Sequence, residues 1–361
     1  MKILIFYTKT GGGHQSAAKN LANHLTCEYE LIDLGEKNSW TRFIYSDLYV
    51  ILTERLFPIW ALCTLIWRTR TGRYLTKKFF DLEFRNYIKS YIQESKPTIV
   101  VSTYFFASSI ARSIQPDLKA FYLVSEIFGA PKIWFDDKQA QYLVASKEIA
   151  NLGISLGIPN SNIHQFNKFY TPQKNINTTS QAPIAKQSNR TIDGPTSIPN
   201  ILIIGGGASL PNGVKLIKVL KSSNLQLTFT VITGRNTEMF NALTRLTNGD
   251  RRFTIKGFVD NVPELLTESS LVICKAGPGV IMEIINSKKP MLIYHYIWEQ
   301  EKPNLDYVLQ HNLGSYCPNL KLIPQEINSI LYSNKKYNTI DLEPNSIIEI
   351  AKFVENSTGK I

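Results

Sequence analysis

The chain has 361 residues, 43% hydrophobic and 19% charged, a balance that excludes global disorder and a length that suits two domains of ordinary size. Its 40 basic and 29 acidic side chains leave a formal net charge of +11, which favours an anionic membrane surface; with no paired Cys/His fingers and no aromatic–basic RNA-binding strand, no nucleic-acid partner is expected. Cys27, Cys63, Cys274 and Cys317 form no CxxC pair, which predicts reduced cytosolic thiols and no structural zinc.

The chain enters a strand at once, Ile3–Tyr7, with no basic and apolar run of the secretory type ahead of it. The turn Gly11-Gly12-Gly13-His14 follows and opens a helix over Ser16–Leu25, whose apolar face is Ala17, Ala18, Leu21, Ala22 and Leu25. Backbone N–H groups at such a start carry partial positive charge and favour phosphate or a developing oxyanion. The GxGxxG fingerprint fails because Ser16 stands where its third glycine belongs, so the turn by itself is a generic strand-to-helix turn. His14, at the mouth of the helix, is either a structural histidine or a side chain placed to accept a proton near neutral pH.

Residues 40–92 interleave aromatic and basic side chains, among them Trp60, Trp67, Arg68, Arg70, Arg73, Lys77 and Lys78. Aromatics in the interfacial zone with basic groups on lipid phosphates would suit a membrane surface. The alternative is a helical pair with packed aromatics and solvated arginines. Its most apolar run, Leu56 to Trp67, contains Pro58 and is too short to span a bilayer, so the chain is expected to touch a membrane without crossing it. Strands at Thr98–Ser102, Ala120–Val124 and Gln141–Ala145 complete a strand–helix alternation that predicts a parallel, doubly wound α/β sheet.

From Thr171 to Pro199 polar residues and proline replace the periodic apolar pattern, which reads as a linker or mobile insertion. Strands then resume at Asn200–Ile204, Leu227–Thr233, Phe253–Ile255, Leu271–Cys274 and Pro290–Tyr294, with a helix beginning over Val214–Leu220 and an amphipathic one over Asn345–Val354. The expected organisation is an acceptor- and membrane-facing domain over 1–170, a linker over 171–199 and a ligand-binding domain over 200–361, whose last helix can pack back on the first domain. Ligands of such sheets bind at the carboxyl ends of strands, so the cleft between the domains is the expected site.

The second half carries the more specific motif. Lys275-Ala276-Gly277-Pro278-Gly279-Val280 follows a strand and opens a helix, and its glycines allow close approach of a diphosphate. Glu283, one turn into that helix, is suited to two ribose hydroxyls, or is a solvated glutamate beside a tight turn. Gln300, Glu301 and Asn304 follow the next apolar strand with amide and carboxylate groups suited to sugar hydroxyls.

Together the GGGH turn, the Gly205-Gly206-Gly207 turn, KAGPG with its glutamate, and QE followed by Asn304 resemble the monogalactosyl- and glucosyl-diacylglycerol synthases, relatives of the peptidoglycan lipid II N-acetylglucosaminyltransferase. The resemblance implies a GT-B fold of two facing Rossmann-like domains and a metal-independent, inverting glycosyltransferase with no cofactor. A UDP-sugar would lie in the second half and a diacylglycerol-like acceptor would meet the first. It implies that Gly206, Gly207, Lys275, Gly277, Pro278, Gly279, Val280 and Asn304 face the donor, Glu283 the ribose, Gln300 and Glu301 the sugar, and Phe258 and Val259 the uracil. On the acceptor side it implies Gly12, Gly13 and His14, with His14 as base. Asp136-Asp137 is then a solvated pair.

Departures lie mainly at the acceptor side. Val280 stands where a threonine is common, Tyr104-Phe105 where His-Pro is usual, and Val124-Ser125-Glu126 where Thr-Asp is usual, leaving Glu126 for the work of the missing aspartate. The rival readings are a transferase acting on a polyprenyl-linked sugar and a nucleotide-sugar-binding protein without turnover.

Overall fold

The computed structural model of the protein describes residues 1–9, 13–44, 48, 51–52, 56–166, 198–206, 210–298, 300–333, 335–340 and 347–357. Gly12, Gly207, the Trp60 side chain and all but the last two residues of the 171–199 stretch lie outside the described residues.

Strands β1 (Lys2–Tyr7), β2 (Glu28–Asp33), β3 (Ile99–Ser102), β4 (Lys119–Leu123), β5 (Gln141–Val144) and β6 (Ile163–Gln165) pair in the order β2-β1-β3-β4-β5-β6. Strands β7 (Asn200–Ile204), β8 (Thr228–Ile232), β9 (Phe253–Lys256), β10 (Leu271–Lys275), β11 (Met291–His295) and β12 (Gly314–Tyr316) pair as β12-β11-β10-β7-β8-β9. Every pairing is parallel, and helices flank both sheets, as the expected pair of doubly wound α/β domains requires.

The central strands are buried on both faces. Ile5 sits between Leu31 and Val101, and Ile203 between Val231 and Ile273, which is why these segments read as unbroken apolar runs. Strands β2, β6 and β12 escape the sequence reading. All three lie at a sheet edge and are short or polar, and so lack that signature. The first helix spans Gly13–Ala22, starting earlier than its apolar stripe suggests, so His14 lies in its opening turn.

Strand order reverses between β1 and β3 in the first sheet and between β7 and β10 in the second. A crevice opens at the carboxyl ends of the strands at each such point, so two sites are set by topology alone. One apolar core joins the two lobes, with Ile5 and Leu123 from the first, Ile204 and Ile293 from the second, and Ile347, Ile350 and Val354 from the last helix. That helix, Ile347–Asn356, packs against helix Gly13–Ala22, and the Glu355 carboxylate accepts from the Thr26 and Cys27 backbone N–H groups at 2.6 and 2.9 Å.

The lobes also meet beside the first crevice. The Phe128 ring stacks on Tyr307 with centroids 4.2 Å apart, and a β-carbon at Gly129 would fall 2.3 Å from Pro303 Cβ. Only glycine lets the two lobes approach this closely at that point.

Candidate active site

The first crevice brings His14 from the opening turn after β1 to the strand ends of β3 and β4. Thr103 Oγ1 donates to the His14 carbonyl at 3.0 Å, fixing the backbone, and the Thr103 carbonyl accepts from the imidazole. Ser125 Oγ lies 2.9 Å from His14 Nδ1 and donates to Glu126 Oε2 at 3.3 Å. The Trp134 side chain, carried on the short turn Lys132–Phe135, also hydrogen-bonds Glu126. Tyr104 meets the His14 ring edge-on at 5.1 Å.

Burial sets the charges of this array. It pushes His14 down to about 4, so the imidazole is neutral at pH 7, and pushes Glu126 up to about 7. His14 and Glu126 line one cavity of about 440 Å³, with Trp67 and Arg68 from helix Phe57–Arg68 on one side and Gln300 and Pro303 of the second lobe on the other. Gln300 therefore reaches the first-lobe cavity, which its position in the sequence does not reveal. Gly13 begins the helix that carries His14.

The second crevice is built from the ends of β7 and β10. Gly206 has φ of +95°, and a β-carbon there would approach Val280 Cγ2 at 3.7 Å and Lys275 Cε at 3.9 Å, so it lies against the Lys275 turn. The turn itself is braced from behind. Lys275 Nζ pairs with Glu301 Oε1 at 2.5 Å, Glu301 Oε2 accepts from the Ile297 N–H at 2.8 Å, and Asn304 Nδ2 donates to the Ala276 carbonyl at 2.9 Å.

These contacts bear on two of the expected site groups. Glu301 and Asn304, 3% and 2% exposed, brace the turn beside which the sugar was expected. The N–H cradle is also displaced by one residue, because the Gly277 N–H already donates to the Lys275 carbonyl at 2.8 Å and Pro278 has none. At the start of helix Pro278–Asn286 the donors are Gly279 and Val280, whose N–H groups have no carbonyl one turn earlier in the helix. Glu283 stands half-buried on this helix with no hydrogen-bond partner for its carboxylate among the described residues, and burial pushes it up to about 7. Phe258 is 63% exposed after β9 with the Arg235 guanidinium 4.9 Å above its ring, while Val259 packs on the shared core.

The aromatic–basic block forms helix Phe57–Arg68 and helix Arg70–Ser95, joined at Thr69. Gly72 permits the join, since a β-carbon there would lie 2.1 Å from the Ile66 carbonyl oxygen. The block divides by direction. Phe80 stacks on Phe106 at 4.4 Å and Trp67 packs on Phe105 at 5.7 Å, facing inward. Ile59, Leu62, Leu65, Ile66, Leu75, Phe79 and Leu82 are exposed.

The basic residues divide likewise. Arg73 Nε pairs with Asp136 at 3.0 Å, and half-buried Lys77, its pKa lowered by burial, faces Asp136 and Asp137. Arg68, Arg70 and Lys78 are exposed. Asp136 and Asp137 are not a solvated pair: Asp137 is 7% exposed and pairs with Arg112 at 2.5 Å. Ser125 and Thr103 are the site residues that sequence reasoning passed over; the signal available was a hydroxyl at the end of each strand beside the first switch point.

Two α/β lobes, each with a switch-point crevice, form the GT-B architecture. Residues 14–166 match the family model for monogalactosyldiacylglycerol (MGDG) synthase, and residues 200–310 match that for the glycosyltransferase family 28 C-terminal domain. The first lobe is thus similar to the MGDG synthases and the second to the family 28 glycosyltransferases. Monogalactosyldiacylglycerol synthase 3, chloroplastic, of Arabidopsis thaliana is 21% identical over 98% of this chain and 81% of its own length. The Spinacia oleracea chloroplastic enzyme is 22% identical over 91% and 65%.

Among solved structures, Acinetobacter baumannii MurG superposes with a TM-score of 0.57 at 12% identity, covering 99% of this chain and 100% of its own. The UDP-GlcNAc 2-epimerase of Neisseria meningitidis, bound to UDP-GlcNAc, gives 0.61 at 14% identity with the same coverage. At these identities the likeness shows the fold. Among the described residues no helix is long and apolar enough to cross a membrane.

Proposed function

We propose that this glycosyltransferase moves a hexose from a UDP-sugar to a diacylglycerol-like lipid at the cytoplasmic face of a membrane, with inversion at the anomeric carbon and without a resident metal. The acceptor hydroxyl oxygen attacks the anomeric carbon as the bond to UDP breaks, and the electron pair leaves on the diphosphate. His14 takes the hydroxyl proton, with Glu126 as its orienting carboxylate. The Gly279 and Val280 N–H groups and the dipole of helix Pro278–Asn286 meet the charge developing on UDP. Glu283 accepts from the ribose hydroxyls, the segment around Phe258 and Val259 borders the base, and Gln300 reaches the sugar.

The observation that carries this reading is the single cavity in which His14 and Glu126 of one lobe face Gln300 of the other, walled by a helix with an exposed apolar face. That face, with Arg68, Arg70 and Lys78 beside it, is the proposed membrane contact. The relatives' names support a diacylglycerol acceptor, and the bound neighbour supports a UDP-sugar donor. Labelled UDP-glucose and UDP-galactose offered with diacylglycerol, and separately with a polyprenyl-linked sugar, test it. Labelled glycosyl-diacylglycerol is expected. Transfer to the polyprenyl acceptor alone, or UDP binding without transfer to either, contradicts it.

A further inference from the structure

Glu126 and Gln300 line the cavity from opposite lobes, and a short step along the chain from each lies one half of a direct interlobe contact, Gly129 and Pro303. A β-carbon at Gly129 would fall 2.3 Å from Pro303 Cβ and 2.5 Å from Cγ, while Pro303 Cα lies 3.8 Å away. Gly129 does not have a positive φ, so its backbone would accept an alanine and the demand for glycine there is one of space alone. Phe128 beside it stacks on Tyr307, one turn further along helix Lys302–Gln310, and Ala130 and Pro131 after it line the cavity.

Neither side of this contact is free to move by itself. On the first lobe, the segment from Glu126 to Trp134 is a loop closed by the hydrogen bond between those two side chains. On the second, Pro303 stands in the first turn of its helix. The capping Glu301 is tied to Lys275 at 2.5 Å and to the Ile297 N–H at 2.8 Å, so the helix start moves with the Lys275 turn. We propose that the Gly129–Pro303 contact is the stop that sets the width of the interlobe cavity, with Gly129 a positioning residue for sugar transfer: by lacking a β-carbon it lets the Lys275 turn and Gln300 come within reach of His14 and Glu126. The inference rests on the reading of transfer across this cavity. Restoring an ordinary carbon–carbon contact of about 3.5 Å against a new methyl group would push the lobes apart by about 1 Å. Misplacement of that size between reacting groups lowers turnover by as much as roughly 10²-fold while each reactant still binds.

Transfer assays and crystal structures of Gly129→Ala, Pro303→Gly and the double variant test the proposal. Gly129→Ala is expected to lower kcat roughly 10–100-fold with the KM for the sugar nucleotide unchanged, because the Lys275 turn itself is untouched. Pro303→Gly removes both atoms that the new methyl would meet and leaves Cα at 3.8 Å. On that background, adding Gly129→Ala should cost less than about threefold, a restoration that a glycine needed only for stability would not show. Superposed on the first lobe, the Gly129→Ala structure should show Gln300 and Pro303 carried outward together by about 1 Å. This readout needs no turnover, so it stands even where the lipid reaction fails. Should Gly129→Ala not fold, the double variant is still expected to fold and to match Pro303→Gly in transfer. Gly129→Ala turnover within a few fold of wild type, losses that multiply in the double variant, or a Gln300 that stays in place while Pro303 alone gives way would overturn the proposal.

Discussion

Glu283, proposed above to meet the ribose, carries a cost in the fold. Its carboxylate has no hydrogen-bond partner among the described residues, and desolvation alone raises it from 4.5 to about 7. A folded value above the unfolded one means that stability present below pH 4.5 is lost as pH rises through 7. Glu283→Gln removes the buried charge, so melting curves should show the variant more stable than wild type at pH 8, by about 1–3 kcal/mol, and equal to it at pH 4. In the same variant calorimetry should give UDP affinity roughly tenfold weaker, since a charged acceptor of ribose hydroxyls becomes a neutral one. A variant that melts lower than wild type at pH 8 would mean that the carboxylate has a partner and is stabilising. His14 has the opposite sign: its depressed value removes stability as pH falls from 6.5 toward 4.

At the scale of elements, the pair of helices Phe57–Arg68 and Arg70–Ser95 has two faces with different tasks. Phe84, Ile88 and Ile92 seal it to the first sheet, while Leu62, at 60%, and Leu82, at 74%, stay exposed. Burying one such side chain contributes about 1.5–3 kcal/mol, so a membrane interface that covers several of them supplies substantial affinity. Sedimentation with anionic vesicles should therefore drop roughly tenfold or more for Phe79→Asp combined with Leu82→Asp, with UDP binding retained. Raised salt should weaken the wild type through the exposed Arg68, Arg70 and Lys78. Binding indifferent to both substitutions, to lipid charge and to salt would remove the membrane role of this hairpin. The element explains the split fate of the basic cluster as well. A helix presents successive positively charged residues to different directions, and Arg73 and Lys77 turn toward Asp136 and Asp137 while Lys78 does not.

For the whole molecule, what could be read in advance follows burial. Ile3–Tyr7, Asn200–Ile204 and Leu271–Cys274 are legible because a parallel strand covered on both faces must be apolar throughout, and the glycine turns after β1 and β10 are legible because a helix start beside an anion needs backbone without side chains. From these the two lobes and the two crevices follow. The edge strands Glu28–Asp33 and Gly314–Tyr316 do not, since the first is mostly polar and the second only three residues long. Side-chain partners are the least legible. Glu301 and Asn304 have the right chemistry for a sugar, and nothing in their spacing shows that they also bond to Lys275, Ile297 and Ala276. The neighbours of His14 emerge only when β1, β3 and β4 set Thr103, Ser125 and Glu126 around it.

The account stands on one division of labour across the interlobe cavity: the second lobe holds the departing nucleotide and the first removes the acceptor proton. Wild type and His14→Ala, compared side by side for UDP binding by calorimetry and for sugar transfer to diacylglycerol in vesicles, separate the two tasks. The account predicts equal heats of UDP binding, within a factor of about two, and turnover lower by roughly 10²–10⁴-fold in His14→Ala. An absence of UDP binding in the wild type, or a His14→Ala enzyme that transfers sugar within a few fold of wild type, would contradict it.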